Sequence, residues 1–202
     1  MMHDLNHERD RVLPLLGPDA PTFVATDLPE DPGLYALWAS KQRTCTDLGL
    51  EAVDGEKPLL QRPLYIGKAQ GSLRERVAEK HMVSGDTGHS TVRRTFGALL
   101  DLESCPRRTT LISPTPRQLR TLTANYDLIP DDDDKLTAWM SSNLIIRGAR
   151  SDWQPLRDLE RAVGAIMRPP LDQEPRPMWE PNPWRSQVSD ARERLRRRAR
   201  DR

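Results

Sequence analysis

A chain of 202 residues suits one domain with extensions, or one domain with a small second one, and is long enough to bury a core. Its 31 basic and 30 acidic side chains leave a formal charge of +1, so net charge alone cannot hold it on a polyanion, and any nucleic-acid affinity must come from charge placed locally. Only five of the basic residues are Lys, so the abundance of Arg says little and its position says more.

The first twenty residues, MMHDLNHERDRVLPLLGPDA, lack the uninterrupted apolar stretch of a signal peptide. No segment reaches the ~20 apolar residues of a membrane span, so a soluble, cytoplasmic protein with no membrane partner is expected. His3 and His7 stand at i, i+4 and read as surface histidines of an end segment rather than a metal clamp. Turn chemistry in ATDLPEDPG, ending at Gly33, leads into LYALWA from Leu34, short and apolar enough for a buried strand. Polar sequence from Ser40 to Gln61 reads as a long excursion, and PLYIGKA from Pro63 as the second strand. Ser72 and Glu75 form a Ser-x-x-Glu capping box for a helix with Leu73 and Val77 on its apolar face, ending near Gly85.

Ser90 caps a second helix, in which Val92, Phe96, Leu99 and Leu100 fall on one stripe. TTLIS at 109–113 reads as a strand followed by a Pro-rich turn. The run DDDDK at Asp131–Lys135 reads as an acidic helix start, complementary to the helix dipole, for a helix through Leu136, Trp139 and Met140. LIIRGA from Leu144 is a third buried strand. Pro155 opens a helix with Leu156, Leu159, Val163 and Ile166 as its buried stripe, stopped by the two prolines of RPPLD. QEPRPMWEPNPW reads as an extended wrap, and SDARERLRRRARDR as a helix or tail with seven Arg from Arg192 onward, either a solvated face or a set of phosphate contacts. Cys45 and Cys105 have neither zinc-ligand nor disulfide-framework spacing.

Four segments in order carry a resemblance: GLYAL from Gly33, LYIGKA from Leu64, SLRERVAEKH ending at His81, and LERAVGAIMRPPLD from Leu159 to Asp172. Together they resemble the GIY-YIG nuclease family, and GHSTVRRTFGALL after the histidine is similar to its bacterial restriction-like members. The resemblance implies an α+β fold with a small antiparallel sheet, about three-stranded, packed between helices. It divides the chain into an N-terminal extension (1–31), a catalytic domain (32–172) with an insertion near 40–62, and a Pro/Trp-rich wrap with an Arg-rich helix or tail (173–202).

The family's functional positions, carried onto this chain, imply that Tyr35 and Tyr65 face each other and orient or deprotonate the attacking water. A free phenol has a pKa near ~10, so a base role needs a nearby cation, for which Lys68 is the candidate by sequence proximity. Arg76 would stabilise the extra negative charge of the transition state, with Arg74 as its competitor. His81 would share proton transfer or bind phosphate. Glu160 would hold one divalent ion, Mg²⁺ or Mn²⁺, whose remaining ligands are water and substrate phosphate. Arg74, Arg93, Arg94 and the insertion are candidate DNA contacts. Asp172 stands where the family commonly has Asn, and as an auxiliary residue it can accept hydrogen bonds but cannot donate as an amide does. The implied function is a metal-dependent endonuclease on double-stranded DNA, with a homodimer by analogy to restriction-like members. The alternative is a nucleic-acid-binding module that keeps the fold after its chemistry has decayed.

Overall fold

The computed structural model describes residues 4–85, 87–107, 125–172 and 182–202. In chain order the elements are α1 (Leu5–Leu16), β1 (Gly33–Ala39), α2 (Gln42–Asp47), β2 (Tyr65–Ala69), a π-type helical turn (Glu75–Glu79), α3 (Thr91–Leu99), β3 (Ser104–Pro106), β4 (Tyr126–Leu128), α4 (Pro130–Asn143), β5 (Leu144–Arg150), α5 (Leu156–Met167) and α6 (Arg185–Arg200). The described residues form two compact units, one drawn from Met1–Glu79 and Asn143–Arg185, the other from Lys80–Ser142 and Ser186–Arg202. The expected strand at 109–113 and most of the expected Pro/Trp-rich wrap lie outside the described residues, as does His3.

All seven residues of β1 are buried because it is the middle strand of the first unit's sheet, in the order β2-β1-β5 with both pairings antiparallel. The fold is therefore α+β with a three-stranded antiparallel sheet packed with helices. Side chains alternate across a strand, so Leu34, Ala36 and Trp38 share a face with Ile66 and Ala149. They pack against Val12 and Leu16 of α1 and Leu156, Leu159 and Val163 of α5. Tyr35 has the other parity and leaves that core. Residues 1–31, read as an extension, thus supply two core side chains, and Leu16 also accepts a hydrogen bond through its carbonyl from Trp38 Nε1 at 3.1 Å.

The second half of the excursion between β1 and β2 is tied down by ion pairs and a hydrogen bond. Glu56 accepts from the buried guanidinium of Arg62 at 2.8 Å, and its other oxygen pairs with Arg168 at 2.7 Å, just past the end of α5. Arg62 lies over the Trp184 ring, 5.2 Å from its centroid, while Trp184 Nε1 donates to the Glu51 carbonyl at 2.9 Å. The turn that follows α5 is pinned as well: Leu171 N donates to the Leu64 carbonyl at 3.0 Å, and Asn182 Nδ2 donates to the carbonyls of Pro170 and Asp172 at 2.9 Å. The insertion thus acts as a strap that fixes the Arg168–Asp172 turn beside the start of β2.

In the second unit Ser90 caps α3 as its sequence predicts, its Oγ accepting from Arg93 N at 3.1 Å. The acidic run opens α4, with Asp131, Asp132 and Asp133 in its first turn. Asp132 accepts from Glu103 N and Lys135 Nζ, each at 2.6 Å, and these bonds, the backbone one foremost, hold its carboxyl below the usual range. β3 and β4 form a two-stranded antiparallel sheet. α6 buries Val188, Ala191, Leu195 and Ala199 along one stripe. Among the described residues no helix is long and apolar enough to cross a membrane, and neither cysteine forms a disulfide.

Because α1 belongs to the first unit's core, Leu16→Ala should destabilise the protein by about 2–5 kcal/mol in urea denaturation, as loss of a buried leucine does elsewhere. A loss below 0.5 kcal/mol would mean that α1 is dispensable.

Candidate active site

Register brings the first pair of residues together. Tyr35 is opposite Gly67 in the β1–β2 ladder, and Tyr65 is two positions before that glycine on the same face. The two rings lie 6.1 Å apart between centroids, tilted by 39°. Gly67 is what admits the Tyr35 ring: a Cβ there would collide with its phenol end, and would lie 2.8 Å from Cε1. The glycine of the YIG triplet is thus demanded by a side chain of the neighbouring strand and not by its own backbone angles.

Arg76 reaches the same point from the π-type turn, which Ser72 opens by accepting from Glu75 N at 3.0 Å. Tyr35 is hydrogen-bonded to Arg76 and to Tyr65. Burial pushes the Tyr35 phenol up to about 12, against the pull of Arg76. Tyr65 is half-buried as a residue, but its hydroxyl is desolvated. Its pKa is driven well above the ordinary value by that desolvation, then by Tyr35, Glu160 and Asp172, with Arg76 opposing. Both phenols therefore keep their protons at neutral pH.

Glu160 projects from α5, where Leu156, Leu159 and Val163 fix the helix on the sheet. It is 8% exposed, and its Oε2 accepts from Lys68 Nζ at 2.6 Å. This corrects the expected role of Lys68. Three residues beyond Tyr65, it lies on the opposite face of β2, the Ile66 face, and so meets the carboxylate on α5 instead of a phenol. The cation at Tyr35 is Arg76. Asp172, 7% exposed, raises the Tyr65 pKa from the turn that the strap holds.

Tyr35, Tyr65, Arg76, Glu160 and Asp172 therefore converge electrostatically, with Lys68 bonded to one of them. Arg74, the competitor of Arg76, instead forms an ion pair with Glu30 at the surface. His81, Arg93 and Arg94 belong to the second unit. His81 is buried, with Nδ1 2.8 Å from Ser90 Oγ.

Two of the expected DNA contacts are corrected. Arg93 is 0% exposed, and its guanidinium donates to Thr87 Oγ1, the His81 carbonyl, Asp133 and Thr137 Oγ1 at 2.5–3.0 Å, so it is an internal brace. Arg94 is likewise buried, donating to the Gly88 carbonyl and to Thr91 Oγ1, and burial, the largest influence, lowers its pKa to about 10.

A family model for the GIY-YIG catalytic domain matches residues 33–194, most of the chain. The chain belongs to the GIY-YIG family. No curated protein and no solved structure gives a significant match. The residues that sequence reasoning missed in this GIY-YIG domain are Glu56, Arg62 and Arg168, whose ion pairs support the Asp172 turn. Their only signal was a polar insertion followed, a hundred residues later, by an Arg before two prolines.

Two outcomes test this geometry. Gly67→Ala should displace the Tyr35 ring and cut whatever turnover the site supports by about 100-fold, since ångström-scale misplacement has that effect; unaltered turnover refutes the packing. The chain's three tyrosines, Tyr35, Tyr65 and Tyr126, all have raised pKa values, with Tyr126 also near 12 because of burial. Folding holds these protons on, so the associated stability is fully present below pH ~10 and is lost as the pH rises through about 12, by about 2–3 kcal/mol for a two-unit shift. Absorbance at 295 nm should show no tyrosine ionising near pH 10 in the folded protein, and ionisation should coincide with unfolding above it.

Proposed function

We propose that this protein is a metal-dependent endonuclease that hydrolyses DNA phosphodiester bonds by in-line attack of water. The observation that carries the reading is the meeting of two desolvated phenols, one guanidinium and one carboxylate from distant parts of the chain. Arg76 would bind the scissile phosphate and offset the charge that grows on it in the transition state, where a planar, permanently charged donor is most effective. Because both phenols stay protonated at neutral pH, Tyr35 and Tyr65 would orient the attacking water by hydrogen bonds and would not start as free bases, and the water's proton would pass to bulk solvent. His81 enters this scheme on its sequence resemblance alone.

Among the described residues no three His, Cys, Asp or Glu side chains gather into a metal-holding group. The donors near the phenols are instead carboxylate oxygens, Glu160 and Asp172, which suits a hard cation completed by water and substrate and does not suit zinc. Glu160 would hold Mg²⁺ or Mn²⁺, and the bound ion would polarise a phosphate oxygen and stabilise the leaving oxygen. Lys68 supplies a compensating charge and, through its 2.6 Å hydrogen bond, holds the Glu160 side chain in place. Double-stranded DNA is the substrate we favour, cut by a restriction-type enzyme acting as a homodimer.

Incubation with supercoiled plasmid should give nicked or linear product in Mg²⁺ or Mn²⁺ and none with chelator. Arg76→Ala and Glu160→Ala should each lower the rate by about 10²–10³-fold, the usual cost of one lost transition-state contact. If the parent binds DNA but never cuts it, the decayed-module reading replaces this one.

A further inference from the structure

The chain is close to neutral only as a whole. Residues 185–202 hold eight arginines against three carboxylates, a local +5, which leaves the rest of the chain at −4. The net positive charge that could attract a polyanion is therefore concentrated in one short segment. That segment is not an unstructured tail. It is the helix α6, sixteen residues long, whose apolar stripe of Val188, Ala191, Leu195 and Ala199 is buried and whose opposite side faces solvent.

The buried stripe fixes which arginines are offered. Arg194, Arg197 and Arg200 are all exposed and lie on the side away from it, stepping by three residues along the axis. Each step advances ~4.5 Å, so the three form a ridge ~9 Å long, about the rise of three phosphates along one DNA strand. Within the ridge, Arg197 meets Glu193 at 3.3 Å with its own side chain 74% exposed. Such a pair contributes little and is easily exchanged for a phosphate. By contrast Arg198, on the flank, pairs with Asp101 at 2.8 Å and helps seat the helix.

We propose that the Arg194–Arg197–Arg200 ridge of α6 is a nucleic-acid backbone contact surface that supplies most of the protein's non-specific affinity. The inference rests on the nuclease reading for its choice of polyanion. Lipid is disfavoured by the same helix, because its apolar stripe is already buried and leaves no face to enter a bilayer. Arginines spaced along an exposed helix face meet phosphates, which carry no sequence information, so the contact is independent of sequence. It also replaces Arg93 and Arg94, whose guanidinium groups are committed inside the protein.

The test is fluorescence anisotropy of the full chain with a labelled 20-base-pair duplex, in EDTA so that nothing is cut, across a series of NaCl concentrations. The triple variant Arg194→Gln, Arg197→Gln, Arg200→Gln should bind about tenfold or more weakly at low salt, and its log–log salt slope should be less steep by about 2 to 3. Arg194→Lys, Arg197→Lys, Arg200→Lys should bind as the parent does, which separates charge from damage to the helix. Binding is read in EDTA and cleavage is read separately, so a protein that binds through α6 without cutting would fail as a nuclease and still support this surface. A Gln variant with the parent's slope would overturn the proposal even if cleavage is confirmed. So would a variant that loses binding to polyglutamate or to anionic vesicles while keeping its affinity for the duplex.

Discussion

A phenol seated over a glycine, with a guanidinium bonded to its oxygen, is the contact that orders the first unit. Tyr35 needs the missing side chain of Gly67, Gly67 needs the antiparallel register of β1 and β2, and Arg76 needs the Ser72-capped turn that follows β2 directly. Desolvation at that point has two effects with one cause. It keeps both tyrosines protonated, and it makes any charge brought beside them interact more strongly than it would in water. A phosphate arriving beside Arg76 would meet fixed donors that need no rearrangement.

The carboxylate side of the site rests on a second interaction. Lys68 and Glu160 come from the two separate chain segments that build the first unit, and their 2.6 Å contact joins α5 to the edge strand β2. Beyond α5, Arg168 takes a left-handed conformation at φ 49° and hands its guanidinium to Glu56, which also holds Arg62. Removing one member of such a buried pair strands the other charge, so the insertion is tied by its own ion pairs to the turn that carries Asp172.

Much of this was legible in the sequence, for identifiable reasons. β1, β2 and β5 are short apolar runs bounded by turn chemistry, and the caps at Ser72 and Ser90 follow from local hydrogen-bonding rules that need no tertiary context. The convergence of Tyr35, Tyr65, Arg76 and Glu160 was readable through the family's motifs, since nothing in their separate spacing brings residues so far apart into one place. Arg93 was misread because its partner Asp133 lies forty residues away, and an arginine bound for burial looks the same as one bound for solvent. Lys68 was misread because nearness along a strand was taken for nearness in space, although odd spacing puts two side chains on opposite faces. α1 was left as an extension because its two core residues, Val12 and Leu16, are diluted among charges.

The strand order also has a temporal side. β1 is the middle strand, yet its longer partner, β5, begins at Leu144, more than a hundred residues after β1 ends. A ribosome therefore delivers the hairpin with both tyrosines, then the whole Lys80–Ser142 segment, and only afterwards the strand and helix that bring the carboxylate. Seven backbone pairings must wait for that last piece, and contacts so distant in sequence are slow to form. The nascent chain cannot bring Glu160 to the two tyrosines until synthesis has passed α5.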